Sequence, residues 1–249
     1  MKLDILAFGV HPDDVELSCS GTLLVEKMKG KKVGVVDLSQ GELGTRGTAA
    51  TRTTEANDAA EILQLDVREN LKMADGFFSN DEDHQRRIIA TLRKYQPEII
   101  LCNAPADRHP DHGRAADLIY TAAFLSGLTK VGTMTPEGET QENSSFQQAW
   151  RPKYVFNYIQ DRYFNPDFVV DITDVFEKKI EAIKAYKTQF YNPDSKEPDT
   201  YISSPEFLES IIYRSKMFGK LIGVKHAEGF LSKKMIGIKS FDSLIQKDT

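Results

Sequence analysis

The chain is predicted to be an α/β protein built on a mostly parallel sheet with helices on both faces. Two observations predict this. Apolar runs of strand length alternate with helical patterns through the first half, which is the signature of strand–helix–strand units. A His-Pro-Asp motif occurs twice, each time just beyond such a run and before a helix, at the sheet edge where open α/β sheets bind ligands.

Each element has its own signal. Leu3 to Val10 is apolar apart from Asp4 and reads as a buried strand. Gly21 to Gly30 has helical composition, with Gly30 as the stop residue. Lys32 to Leu38 is the next strand, and a loop rich in Gly and Thr covers Gln40 to Ala50. In the helix expected over Thr51 to Leu63, Ala56, Ala59, Ala60 and Leu63 recur at i, i+3, i+4 and i+7, so one face is apolar. A strand over Val67 to Lys72, a helix over Asp81 to Tyr95 closed by Pro97, and a strand over Ile99 to Cys102 continue the alternation. The second half is less regular. Thr133 to Gln148 is polar and aperiodic, the pattern of a lid, an oligomer contact or a plain surface excursion. Tyr154 to Ile159 and Phe168 to Ile172 read as strands, Val175 to Tyr186 and Pro205 to Gly219 as helices. No repeat or linker divides the chain, so residues 1–249 are expected to form one domain.

Composition narrows the function. A net charge of -5 gives no electrostatic footprint for nucleic acid or an anionic membrane. A small anionic substrate would need a local arginine cluster. Cys19 and Cys102 are too few for a disulfide framework and read as packing residues. The apolar N-terminal stretch lacks a signal-peptide pattern and is too short to span a bilayer, so a cytoplasmic protein is expected. No complete Gly-x-Gly-x-x-Gly follows the first strand, which argues against a dinucleotide cofactor.

The motifs carry the chemistry. With five histidines and ten prolines in the chain, His11-Pro12-Asp13-Asp14 and His109-Pro110-Asp111-His112 together concentrate imidazole and carboxylate groups. A catalytic zinc keeps three protein ligands and an open position. The economical assignment puts His11, Asp14 and His112 on a divalent metal and leaves Asp13, His109 and Asp111 for catalysis. Asp13 would be the general base. His109, oriented and kept protonated by Asp111, would stabilise an oxyanion. Spacing alone allows Asp13 and Asp14 to exchange roles, and the donor set suits Zn2+ or Fe2+ alike.

The stretches Gly9-Val-His-Pro-Asp-Asp-Val-Glu16 and Asp107-Arg-His-Pro-Asp-His112 resemble the paired signature of the LmbE-like (PIG-L) N-acetylglucosaminide deacetylases. The resemblance implies a Rossmann-like fold, zinc, ligands His11, Asp14 and His112, Asp13 as base, and His109 as an electrostatic partner in contact with Asp111. Gly41-Glu-Leu-Gly-Thr-Arg-Gly47, Thr51-Arg-Thr-Thr-Glu55, Met1 to Ser20, Asp75-Gly-Phe-Phe78 and Lys187-Thr-Gln-Phe-Tyr191 resemble the bacillithiol-producing subgroup. That subgroup converts N-acetylglucosaminyl-malate to glucosaminyl-malate and acetate, and the family often forms hexamers. A homo-oligomer is therefore expected. An anionic malate calls for guanidinium partners, and Arg46, Arg52 and Arg108 are the candidates, with Tyr191 closing the site. Three other readings compete: a deacetylase of another GlcNAc conjugate or chito-oligosaccharide, a non-haem iron oxygenase using His11, Asp13 and His112, and a non-catalytic metal-containing sugar-binding module.

Overall fold

A computed structural model describes residues 1–133 and 147–244. The predicted α/β architecture is present: one seven-stranded sheet with helices on both faces. The strands are β1 (Ile5–Gly9), β2 (Val33–Asp37), β3 (Val67–Asn70), β4 (Ile99–Cys102), β5 (Tyr154–Tyr158), β6 (Phe168–Asp171) and β7 (Ala227–Ser232). Their order is β3-β2-β1-β4-β5-β7-β6, and β7 runs against the other six.

Every side chain of β1 is buried because both of its faces are covered. Leu6 and Phe8 pack with Ile88, Leu92, Leu118 and Ile119 of helices α4 (Glu82–Tyr95) and α5 (Pro110–Leu125). Ile5 and Ala7 face the other way, towards Val15 of α1 (Asp14–Ser18) and Leu23 of α2 (Ser20–Met28). On that side α3 (Ala49–Ile62), α6 (Phe176–Lys184) and α7 (Pro205–Ile222) share a second cluster around Ala59, Ile180, Ile183 and Ile211. No helix among the described residues is long and apolar enough to cross a membrane.

This topology locates the site. From β1 the chain moves outward through β2 and β3, then returns to lay β4 against the opposite side of β1. The strand order therefore reverses between β1 and β4, and the crevice beyond their carboxyl ends is the switch point where such sheets bind ligands. One motif follows each of these two strands.

Three details depart from the sequence reading. A short helix, α1, begins at Asp14 itself, before the helix expected from Gly21. The helix expected at Thr51 starts two residues earlier, where Thr48 caps it and exchanges hydrogen bonds with Thr51. Strand β7 gave no periodic signal, since Ala-Glu-Gly-Phe-Leu-Ser neither alternates nor forms an apolar run. Most of the predicted loop from Thr133 to Gln148 lies outside the described residues.

What seats β7 is electrostatic. Glu228 is buried at the start of α2, whose preceding residue offers no side-chain cap. Its carboxylate accepts from the Gly21 N–H (2.9 Å), the Thr22 N–H (2.7 Å) and the Thr22 hydroxyl (2.6 Å). Orphan N–H groups and the helix dipole both favour an anion there. Lys179 of α6, also buried, donates to Glu228 at 2.6 Å. Removing one partner of such a pair strands a charge. Lys179→Met is expected to destabilise the protein by about 3–5 kcal/mol, read by urea unfolding, while a loss below about 1 kcal/mol would mean that Glu228 is held by the helix alone.

Candidate metal centre and its cavity

The centre is organised by Asp14, the first residue of α1. Its Oδ2 accepts from the backbone N–H groups of Val10 (2.9 Å) and His11 (3.1 Å) and from Asn103 Nδ2 (3.0 Å). Its Oδ1 accepts from Gln160 Nε2 (3.1 Å) and lies 3.2 Å from His112 Nε2. Burial alone would raise the Asp14 pKa, but the His112 imidazole outweighs it and holds the group ionised.

Two histidines approach Asp14 from different elements. His11 presents Nδ1 3.8 Å from Asp14 Oδ2, while its Nε2 bonds Asp75 at 2.9 Å. His112 has the opposite arrangement, with Nε2 towards Asp14 and Nδ1 on Asp107 at 2.6 Å. Each ring thus has one nitrogen fixed by a carboxylate and the other turned inward, as metal-binding imidazoles are oriented. Burial opposes ionisation of Asp75, yet its bond to His11 keeps its pKa at about 2. Burial likewise disfavours a charged His112, but Asp14 and Asp107 raise its pKa to about 10. A cation held by these residues would displace that proton. Nitrogens of His11, His109 and His112 lie within 4.8 Å of one another. Two imidazoles, a carboxylate and fixed tautomers fit a divalent cation with an open position.

Asp13 is held differently. Its backbone has φ 125°, a conformation that costs an L residue about 1–3 kcal/mol and persists where surroundings enforce it. Arg52 does so: Nη2 donates to the Pro12 carbonyl (2.6 Å) and to Asp13 Oδ2 (3.1 Å). The Thr48 cap places Arg52 on the first turn of α3, with its side chain buried. Gly41, at φ +63°, lets the chain wrap the guanidinium, since a Cβ there would collide with Nη1. Burial raises the Asp13 pKa and Arg52 restrains the rise, leaving it at about 7.

His109 differs from expectation. Asp111 does not contact its ring through the carboxylate, which instead accepts from the Gly76 N–H (2.9 Å) and from Arg114 (2.8 Å). His109 caps α5, with ring Nδ1 accepting the Asp111 backbone N–H at 3.3 Å. That lone pair is occupied, so the ring proton sits on Nε2. Burial and the neighbouring His11 and His112 push its pKa down. The Asp111 backbone N–H, and not its carboxylate as expected from the sequence, orients the ring.

These groups line a cavity of about 370 Å³, within the size range of small-molecule sites. Arg46, Arg52 and Arg108 all reach its wall, but none stands free. Arg52 is committed to Asp13, Arg46 bonds Ser195 (2.5 Å) and faces Glu197 (3.6 Å), and Arg108 lies over the Tyr201 ring and faces Asp161 (3.6 Å). Tyr191 is half exposed and does not line the cavity. The buried aromatic beside it is Phe190, and the tyrosine on the wall is Tyr201. Asp75, Asn103, Asp107, Gln160 and Arg214 were not assigned roles from the sequence. Asp107 and Asp75 lay inside the quoted motifs, whereas Asn103, Gln160 and Arg214 had no local signal.

Comparisons with known proteins agree with this geometry. Residues 6–123 match the model of the PIG-L family, described as GlcNAc-PI de-N-acetylase. A diacetylchitobiose deacetylase from Thermococcus kodakarensis is 27% identical over 236 residues, 90% of this chain and 81% of that protein. The crystal structure of a conserved protein from Thermus thermophilus superposes with a TM-score of 0.81 at 32% identity, covering 95% of this chain and 98% of that one. A 4-oxalmesaconate hydratase from Pseudomonas putida is 28% identical over 199 residues, 74% of this chain and 73% of that protein.

The carboxylate behind His112 makes a measurable contribution. Asp107→Asn is expected to weaken Zn2+ affinity about 10-fold to 100-fold in a chelator-competition titration. In the unmodified protein, affinity is expected to rise with pH throughout the range below about 10, because the cation competes with a proton on His112. A pH-independent affinity would contradict the assignment of His112 to the metal.

Proposed function

The chain belongs to the PIG-L family, and from that premise we propose that it is a metal-dependent deacetylase acting on a small GlcNAc conjugate, N-acetylglucosaminyl-malate. The observation that carries the reading is Asp13: a buried carboxylate, held at φ 125° and clamped by Arg52 beside the donor set of His11, Asp14 and His112. A site built only to bind sugar gains little from such a group, whereas a hydrolase needs a base beside the attacking water.

His11, Asp14 and His112 would hold the cation, zinc or ferrous iron. When bound, it supplies Lewis acidity that polarises the acetyl carbonyl and makes a neighbouring water more acidic. Asp13 accepts the proton of that water as its oxygen forms the new C–O bond. Arg52 keeps the carboxylate oriented during the transfer. His109, neutral with its proton on Nε2, donates to the oxyanion that develops on the carbonyl oxygen. Asp13 then returns the proton to the amine as the C–N bond breaks, and acetate and glucosaminyl-malate leave. Asp111 acts on His109 through its backbone N–H.

The malate assignment rests on sequence resemblance around Gly41 to Glu55 and on the arginines that line the cavity. The similarity to a diacetylchitobiose deacetylase supports the wider class of GlcNAc conjugates.

Acetate release by the zinc-loaded protein tests both levels. Release from N-acetylglucosaminyl-malate, with little from diacetylchitobiose or free GlcNAc and none after chelation, is the expected result. Equal release from all three would discard the malate specificity, and none from any would discard the deacetylase. Asp13→Asn is expected to lower kcat roughly a hundredfold to ten-thousandfold without loss of bound zinc. Full activity in that variant would remove Asp13 from the mechanism.

A further inference from the structure

Four arginines line the cavity, and three of them face a carboxylate within 4.0 Å. The exception is Arg214 of α7, which has no such partner among the described residues. Its guanidinium donates to two backbone carbonyls, those of Gln160 and Leu17, the latter at 3.1 Å. Carbonyls fix its position without neutralising it. Burial pushes its pKa down, and Asp161, Glu228 and Asp107 offset this only from beyond ion-pair distance.

The surroundings add a second, independent signal. Ser18, at the end of α1, is 4% exposed, lines the same cavity, and has a hydroxyl with no hydrogen-bond partner. Phe207, Ile211 and Arg214 recur along one face of α7, and all three line the cavity with Leu17 and Ile202. A guanidinium without a direct ion-pair partner and an unsatisfied hydroxyl therefore sit against an apolar shelf. The position is also fixed relative to the chemistry, because Gln160, whose carbonyl Arg214 holds, donates its side-chain N–H to Asp14.

We propose that Arg214, assisted by the Ser18 hydroxyl, is the subsite that anchors a carboxylate of the substrate's aglycone and so determines specificity for anionic conjugates. This rests on the deacetylase reading above and assigns the selectivity to a residue outside the motifs. A guanidinium with N–H groups to spare matches a planar carboxylate, and a single cation suits one negative charge better than a phosphate dianion. Arg52 cannot serve, being committed to Asp13.

The test is a ratio. For the zinc-loaded protein, kcat/KM is measured with N-acetylglucosaminyl-malate and with the uncharged methyl glycoside of GlcNAc. The ratio of the two is expected to fall about 10-fold to 100-fold in Arg214→Met, less in Arg214→Lys, and severalfold in Ser18→Ala. An unchanged ratio overturns the proposal, even if both rates drop, since a merely structural arginine would lower both together. Should Arg214→Met not fold, the Lys and Ala variants decide on the same criterion. A second arm needs no turnover: free malate is expected to raise the Tm of the unmodified protein, to raise that of Arg214→Lys less, and to leave that of Arg214→Met unchanged. If neither glycoside is hydrolysed, the deacetylase reading fails, while malate stabilisation that depends on Arg214 still supports the anchor. Malate stabilisation that is absent, or equal in all variants, overturns it, and so does stabilisation by inorganic phosphate in place of malate.

Discussion

Everything at the site depends on keeping one carboxylate charged inside the protein. Asp14 is buried beyond the end of β1, and an uncompensated charge there would be prohibitive. Its compensation comes from separate segments of chain: backbone N–H groups after β1, Asn103 after β4, Gln160 after β5, and His112 on α5. Satisfying Asp14 therefore requires that β1, β4 and β5 be neighbours in this order. The sheet topology and the donor set are one constraint seen at two scales.

The same economy explains Asp13. The turn that directs Asp14 inward leaves Asp13 at φ 125°, a conformation that needs external support. Arg52 supplies it by gripping both the Pro12 carbonyl and the Asp13 carboxylate. Its own placement depends on the Thr48 cap and on the absence of a side chain at Gly41. The base is thus held by a loop and helix far from it in sequence, and the role of the Gly41 to Glu55 stretch is largely to hold it.

How much of this was legible follows from how local each signal is. Strands β1, β2, β4 and β5 were readable because burial on both faces writes a continuous apolar run. Strand β7 was not, because its place is secured by Glu228 meeting α2 and Lys179, contacts spread along the whole chain. At the site, residues inside the two motifs could be singled out, since several metal-capable groups fell together. Their outer partners could not be assigned roles. Asp75, Asn103 and Gln160 acquire theirs only when the ends of different strands meet. Asp111 departs from the sequence expectation for a related reason: proximity in sequence suggests contact with His109, but helix capping turns the ring to the backbone and leaves the carboxylate for Gly76 and Arg114. Tyr191 and Tyr201 show the limit of motif resemblance: it points to the Lys187 to Tyr191 stretch, whereas the tyrosine on the cavity wall is Tyr201, ten residues beyond it.

The charge arrangement of the cavity also decides how a substrate can lie in it. Asp13, Asp14, Asp75 and Asp107 gather at one end, where a cation belongs and where the neutral acetamide must be presented. A carboxylate on the substrate would be repelled from that end unless it were part of the coordination itself. Arg46 and Arg108 already face Glu197 and Asp161, so an anionic group drawn to them must compete with a protein carboxylate. Arg214 has no carboxylate within 4.0 Å among the described residues, Asp161, Glu228 and Asp107 acting on it only from farther off, and its backbone anchors leave it little freedom to approach one. An anionic conjugate held this way has its acetyl group at the His11, Asp14 and His112 donors and its carboxylate on Arg214 of α7. A neutral conjugate lacks that second constraint, and its placement would depend on the sugar hydroxyls alone.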